Sequence, residues 1–124
     1  MGYHRLDPDD VEAEAGRSAT RRSLSDHLGL TKLGLNLYDI APGEQAPLRY
    51  HYHTEQEEAF YVVEGELHVE TEDGEIVVQA GELFVADPGH PHRAYNPDDA
   101  TGPVRTLAVG APPVDDYVFP DEEE

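Results

Sequence analysis

From residue 33 to about residue 110 the chain is a series of short runs rich in leucine, valine and aromatic residues, separated by glycine, proline, asparagine and aspartate. In the first run Leu33, Leu35 and Leu37 alternate with other residues, which indicates a strand with one buried face. No helical periodicity appears after residue 32. Evenly spaced short strands predict an all-β sandwich or barrel. Further strands are predicted at about residues 48–53, 58–64, 66–72, 75–79, 82–86, 92–96 and 104–110.

The length of 124 residues suits one domain with a single two-layer core. Residues 1–32 are expected to form a loosely ordered N-terminal arm with the first edge elements. Residues 33–111 are assigned to the barrel, and residues 112–124 to an acidic C-terminal tail. Within the barrel, Glu72-Asp73-Gly74-Glu75 lies between two β-rich runs and predicts a hairpin.

The charge of the chain is strongly one-sided, with 27 acidic and 8 basic residues and a formal net charge of −19. Such a surface repels phosphate backbones and anionic lipids, so neither nucleic acid nor a membrane is expected as a partner. Lys32 is the single lysine. This composition is typical of a halophilic protein, in which molar salt screens the repulsion between carboxylates.

Signals for membrane insertion and export are not found. No run of about 18 apolar residues occurs. The first eight residues lack the apolar core of a signal peptide. A cytoplasmic location is therefore expected.

Four of the seven histidines fall in two short stretches, His51-Tyr52-His53 and His90-Pro91-His92. Side chains alternate across an extended strand, so His51 and His53 would point the same way and could bind one ion together. Imidazole is a common ligand of divalent metals. Cysteine is absent, so nitrogen and oxygen must provide every ligand. The pattern predicts a metal site that includes His51, His53 and His92.

A carboxylate for this site is available just after the first histidine stretch. Glu58 would share one strand face with Phe60 and Val62, which are candidates for the barrel interior. This phase favours Glu58 over Glu55 and Glu57 as the fourth ligand.

These residues resemble the first motif of the cupin superfamily, G-x(5)-H-x-H-x(3,4)-E-x(6)-G. The chain has His51-Tyr52-His53, four residues, Glu58, six residues and Gly65. Gly43 precedes His51 by seven intervening residues rather than five. The histidines, the glutamate and the second glycine all match.

The second cupin motif, G-x(5)-P-x-G-x(2)-H-x(3)-N, has a counterpart as well. The chain has Gly81, five residues, Asp87-Pro88-Gly89, two residues, His92, three residues and Asn96. Aspartate stands at the usual proline position, and Pro88 follows it. The two motifs cover residues 43–96, and the strand pattern extends the resemblance to about residues 33–111.

The resemblance implies a small single-domain cupin of the conserved-barrel type, a β-jelly roll also described as a double-stranded β-helix. It implies one divalent ion (Mn, Fe, Ni, Co or Zn) held by His51, His53, Glu58 and His92. A six-coordinate ion with four protein ligands would leave about two positions for water or a small-molecule ligand. Cupins often pair through their outer sheets or N-terminal strands, so the resemblance also implies a homodimer.

The chemistry at this site stays open at the level of sequence, and no catalytic residue or substrate is assigned. One possibility is a metal-dependent enzyme, either a dioxygenase or an isomerase or hydrolase of sugar or carbonyl compounds. A second is a non-catalytic protein that binds or senses a small molecule. A third is a structural role, in which the ion only stabilises the barrel.

Several other residues have expected roles. Arg49 shares the strand phase of His51 and would either hold an anionic substrate group in the barrel or pair with a nearby carboxylate. His90 is expected at the pocket rim rather than on the ion. His68 is expected in solvent, and Asn96 is expected to close a barrel corner by hydrogen bonding.

Overall fold

The computed structural model of the protein describes residues 2–15, 17–47 and 49–120, and predictions that fall on residues 16, 48 and 121–124 lie outside this range. The described chain is mostly β-strand, as predicted. A 3-10 turn at Pro8–Asp10 and a short helix, α1 (Leu24–Leu28), lie in the N-terminal part. The strands are β1 (Thr20–Ser23), β2 (Gly34–Ile40), β3 (Tyr52–His53), β4 (Glu57–Glu64), β5 (Glu66–Thr71), β6 (Gly74–Gln79), β7 (Leu83–Ala86), β8 (His92–Tyr95), β9 (Val104–Ala111) and β10 (Tyr117–Val118).

The strands form two main antiparallel sheets, one in the order β1-β2-β9-β4-β7 and one in the order β6-β5-β8. A short pair, β10-β3, lies beside them. The barrel core contains Phe60, Val62, Leu67 and Val69, all at most 3% exposed. Strand alternation brings these side chains inward from β4 and β5, which is the pattern expected for two sheets packed face to face. The all-β architecture predicted from the strand spacing and the jelly roll implied by the resemblance are confirmed.

The hairpin predicted at residues 72–75 is confirmed, because β5 ends at Thr71 and pairs directly with Gly74 of β6. Two motif glycines occupy turns that need a positive φ. Gly65 has φ 84° and lies so close to Pro103 that a Cβ would be 2.5 Å from its carbonyl oxygen. Gly81 has φ 89° and donates its amide to the carbonyl of Val62. Glycine adopts a positive φ without steric cost, which suits it to both turns.

The leucines of β2 lie on its outer face rather than in the barrel interior. Leu35 and Leu37 point away from the barrel core and pack in a second cluster with Val11 and Leu24. Tyr38 and Ile40, on the other face, are the residues of β2 that enter the barrel core. The leucine alternation therefore marks an outer face that the N-terminal segment covers.

The same packing involves residues 1–32, which the sequence predicted as a loosely ordered arm with the first edge elements. Within this segment β1 is the edge strand of its sheet and pairs with β2 from Thr20 to Ser23, and Ala19 is 3% exposed in the barrel core. The segment is rich in charge, but Leu6, Val11 and Leu24 pack in one cluster with Leu35 and Leu37 of β2. Among the described residues, no helix has the length and apolar character needed to span a membrane.

Residues after β9 return to the barrel. Tyr117 and Val118 pair with His53 and Tyr52 of β3, and Asp116 accepts the backbone amides of Glu55 and Gln56. The contacts place this segment beside the two histidines of the first motif. The division into arm, barrel and tail at residues 32 and 111 stays a prediction.

Candidate metal centre

The four residues predicted as ligands come together at one end of the barrel. His51 and His92 face each other in an antiparallel bridge in which each amide donates to the other residue's carbonyl. His53 lies in β3, two residues after His51, and Glu58 lies near the start of β4 with its side chain on the inner face. We call these four residues the histidine–glutamate cluster. Their ligand atoms all lie within 4.8 Å of one another, so the group could hold a metal ion.

Each imidazole in the cluster is oriented by a hydrogen bond at Nδ1. Nδ1 of His51 lies 2.9 Å from the carbonyl oxygen of Arg49, and Nδ1 of His92 lies 3.0 Å from that of His90. Nδ1 of His53 lies 2.8 Å from a carboxylate oxygen of Asp116. Carbonyl and carboxylate oxygens accept, so Nδ1 donates in all three rings and each Nε2 is directed into the cluster.

The distances inside the cluster match those between ligands of one ion. Nε2 of His51 and His53 are 3.2 Å apart. Oε1 of Glu58 lies 2.9 Å from Nε2 of His92, 3.4 Å from that of His53 and 4.0 Å from that of His51. Ligands about 2.1 Å from an ion and at right angles around it would be about 3 Å apart. The cluster therefore has the spacing that a divalent ion requires.

The electrostatics of the cluster also call for a cation. Burial raises the pKa of Glu58, but hydrogen bonds from His53 and His92 outweigh it and lower that pKa to about 2. Burial lowers the pKa of His51, and the nearby His92 lowers it further. The site thus holds an ionised carboxylate and a neutral His51 whose Nε2 lies 3.2 Å from that of His53. The lone pair of His51 and the negative charge of Glu58 both favour a proton or a metal ion held among these side chains.

Asp116 is a part of the site that the sequence did not single out. Oδ1 accepts from His53, and Oδ2 accepts from the amides of Glu55 and Gln56. These bonds join the C-terminal segment to the loop between β3 and β4. Such a carboxylate–histidine pair fixes the ring and strengthens it as a ligand. The only sequence signal was an aspartate in an acidic segment, which is too common to mark a role.

The cluster lies in a cavity of about 450 Å³. Phe60, Ala94 and Ala108 provide apolar wall, and Gln56 and Tyr117 provide polar groups. A volume of this size is enough for a small-molecule ligand. Arg17 and Arg21, in the segment predicted as a loose arm, also line the cavity and were not predicted.

Comparison with known proteins is consistent with this geometry. The Cupin domain family matches residues 36–110, more than half of the chain. The chain belongs to the cupin family. No match was found among curated proteins.

Three solved structures with related sequences have folds similar to that of this cupin. A sugar phosphate isomerase of the cupin superfamily from Silicibacter pomeroyi is 30% identical with a TM-score of 0.70, over 87% of this chain and 75% of that chain. The polyketide cyclase RemF from Streptomyces resistomycificus is 29% identical with a TM-score of 0.74, over 97% and 88%. A putative sugar phosphate isomerase from Acidithiobacillus ferrooxidans is 29% identical with a TM-score of 0.67, over 75% and 58%.

The other sequence predictions in this cupin can now be placed. Arg49 lines the cavity with its guanidinium 4.0 Å from the ring centre of Phe119. His90 is exposed and contributes only its carbonyl, which orients His92. His68 lies outside the core, near Glu75. Asn96 is 2% exposed and donates to the carbonyls of Ile40 and Gly102, which confirms its role at a barrel corner.

Proposed function

We propose that this cupin binds one divalent metal ion through His51, His53, Glu58 and His92 and uses it to bind and activate a small molecule in the cavity. The observation that carries the proposal is the cluster of four ligand atoms within 4.8 Å, open to a cavity of about 450 Å³. A purely structural ion would need no such space beside it.

The chain's own residues would have separate roles at this site. Nε2 of the three histidines and Oε1 of Glu58 hold the ion, and Asp116 keeps His53 in the orientation that ligation needs. Phe60 and Ala108 exclude water from one side of the ligand. The bound ion would supply Lewis-acid polarisation of a ligand oxygen. Nitrogen and oxygen ligands accept Mn, Fe, Ni, Co and Zn, so the proposal covers all five metals.

Isomerisation of a phosphorylated sugar is a second, more specific candidate. Two structural relatives are described as a sugar phosphate isomerase and a putative one, at 30% and 29% identity. Dioxygenation and non-catalytic binding are the alternatives. Proton exchange between a sugar phosphate and deuterated water, followed by NMR, would favour isomerisation. Substrate-dependent oxygen uptake would favour a dioxygenase, and ligand-induced stabilisation without turnover would favour a binding protein.

Elemental analysis tests the metal proposal directly. The untagged protein, purified in molar KCl, should contain about one equivalent of a divalent metal. Glu58→Ala should lose it, whereas Glu57→Ala, a change at the exposed neighbour, should keep it. Equal metal content in the two variants would refute the ligand assignment.

A homodimer stays a prediction, and one surface supports it. Tyr61 and Leu83 are paired across β4 and β7 and are 45% and 59% exposed, and Val63 and Val85 extend the same outer face. Four exposed apolar side chains on an edge of the sheet are typical of an interface. Leu83→Glu should convert a dimer of 13.7 kDa chains to monomers by light scattering in molar salt, whereas Val77→Glu on β6 should not.

Halophilic adaptation and a cytoplasmic location also stay predictions, supported by the net charge of −19. Lowering KCl from molar to about 0.1 M lengthens the Debye length from about 3 to 10 Å and restores repulsion between carboxylates. The midpoint of thermal unfolding should therefore fall by roughly 10 °C or more. An unchanged midpoint would refute the halophilic interpretation.

A further inference from the structure

Positive charge in this acidic protein is concentrated at the cavity. Three of the eight basic residues, Arg17, Arg21 and Arg49, line it, and we call them the arginine group. With 27 acidic residues in the chain, pairing with surface carboxylates would be the ordinary place for an arginine. Three guanidinium groups in the cavity of the histidine–glutamate cluster indicate that this cavity suits a negatively charged ligand.

The strand register explains how Arg21 reaches the interior. Arg21 pairs with Tyr38 across β1 and β2, and directly opposed residues in an antiparallel sheet point to the same face. Tyr38 is buried in the barrel core. Arg22, the next residue, points to the outer face and binds Asp39. Adjacent arginines of one strand are thus divided between the cavity and the outer surface.

The protein uses only part of the hydrogen-bonding capacity of Arg17 and Arg21. A guanidinium carries five N–H donors. Within the described residues, Arg17 donates from Nη2 to the carbonyl of Ala46, and Arg21 donates from Nη1 to the carboxylate of Glu14. The Nε atoms of both are buried without an acceptor in that part of the chain. Buried donors of this kind favour the entry of a strong acceptor, and an oxyanion is the strongest.

Carboxylates near the arginine group limit which anions can bind. Glu14 already shares Arg21, and Asp26 and Asp115 line the cavity from exposed positions. A ligand must therefore compete with Glu14 and pass two rim carboxylates. A compact anion that accepts two parallel hydrogen bonds meets this requirement better than a polyanion does.

Small and polar residues separate the arginine group from the metal ligands. Glu58 is opposite Gly110, which is opposite Gly34 in the next strand, and the side chain of Gln56 lies over Gly110. Ala108 occupies the same place in the adjacent row. β4 and β1 are three strand spacings apart, about 14 Å along the curved sheet. Arg21 lies in the row of Tyr38, Thr106 and Val62, four residues along β4 from Glu58. Glu58 and Arg21 line the same cavity, so one small molecule could contact both.

Resting on the function proposed above, we propose that the arginine group is an anion subsite. It would bind the phosphate or carboxylate at one end of a small molecule whose oxygens at the other end bind the metal ion. The ligand class is a short, oxygen-rich carbon compound with a single terminal oxyanion. Arg17 and Arg21 carry the assignment, and Arg49, stacked on Phe119, completes the wall.

Three probes that differ at one end test this proposal by isothermal titration of the metal-loaded protein: glycerol 3-phosphate, glycerate and glycerol. We expect at least one anion to bind about 10-fold more tightly than glycerol. The stronger of the two identifies the anion as phosphate or carboxylate. Arg21→Gln and Arg17→Gln should each reduce this preference to about 2-fold or less, and Arg22→Gln should leave it unchanged.

Controls separate a lost subsite from a damaged fold. Circular dichroism and metal content are measured on every variant, and Arg21→Lys keeps the charge without the planar fork. If no metal binds, the function proposed above fails, and titration of the metal-free protein with inorganic phosphate still tests Arg21→Gln against Arg22→Gln. The subsite would be overturned by equal affinity for glycerol and both anions, by no binding of either anion at about 10 mM, or by a preference that survives both glutamine variants.

Discussion

Two histidine–glutamate pairs, one inside the barrel and one on its outer face, have nearly the same distance between nitrogen and oxygen. Inside, Nε2 of His53 is 3.4 Å from Glu58, and outside, Nδ1 of His68 is 3.3 Å from Glu75. The inner side chains are 11% and 17% exposed, whereas the outer ones are 21% and 45% exposed. A histidine–glutamate contact by itself therefore does not distinguish a metal site from a surface pair.

The difference lies in what surrounds each contact. The inner pair has two more imidazoles within reach, and all three rings donate from Nδ1 so that Nε2 is left for an ion. The outer pair meets the hydroxyl and the ring of Tyr95, and His68 uses Nδ1 for the carboxylate itself. Convergence of several lone pairs under partial burial is what makes a site.

Removal of one imidazole from each face should give the largest contrast. His92→Ala should reduce bound metal from about one equivalent to below about 0.1, because three remaining ligands hold an ion far less tightly. His68→Ala should retain full occupancy. Elemental analysis of both, with circular dichroism to verify folding, provides the measurement. Full metal occupancy in both variants would mean that the inner cluster does not bind the ion.

Metal removal should lower stability by the next largest amount. A ligand at 100 to 1,000 times its dissociation constant stabilises the native state by about 3–4 kcal/mol, or roughly 10–15 °C in a domain of this size. Chelation should therefore lower the unfolding midpoint by that amount in the wild type and in His68→Ala. His92→Ala should show almost no response. A large response in His92→Ala would place the ion elsewhere.

Most of the fold follows from local sequence rules. Strand alternation and glycine turns predict the hairpin at residues 72–75 and the strands from β4 to β9, because each depends on neighbours in sequence. The packing of Val11 and Leu24 on Leu37 depends on residues distant in sequence. An isolated Val11 among acidic residues carries no periodicity, so the ordered N-terminal segment could not be predicted.

The same division applies to the site. His51, His53, Glu58 and His92 come together as predicted, because strand phase and motif spacing both constrain them. Asp116 meets His53 across 63 positions of sequence, and Arg21 reaches the cavity only through the pairing of β1 with β2. Nothing local to either residue marks these contacts. Residues whose contacts depend on tertiary pairing cannot be identified before the fold is known.

A change at Asp116 sharpens the comparison, since the inner histidines hold Nδ1 on partners outside the cluster, whereas His68 uses Nδ1 for Glu75 itself. Asp116→Asn keeps the size of the side chain but removes the charge that holds His53. Loss of an outer-shell partner of this kind weakens metal binding by about 10–100-fold. Competition with a chromophoric chelator measures the affinity. Asp115→Asn is the matched control, and an equal loss there would assign the effect to charge alone.

The smallest expected effect is on acid stability of the metal-free protein. The folded-state pKa of Glu58, about 2, lies below its ordinary value of 4.5, because hydrogen bonds from His53 and His92 outweigh burial. A lowered carboxyl pKa stabilises the fold above pH 4.5, and this contribution is lost as the pH falls toward 2. The unfolding midpoint of the wild type should therefore drop between pH 5 and pH 3 by roughly 5 °C more than that of Glu58→Gln.

Glu75 also has a lowered pKa, chiefly through the Tyr95 hydroxyl, but it is exposed, so solvent weakens its contribution and Glu75→Gln should follow the wild type. If Glu75→Gln flattened the acid slope as much as Glu58→Gln, the inner carboxylate would be no more strongly held than the outer one, and the contrast between the two faces would rest on metal binding alone.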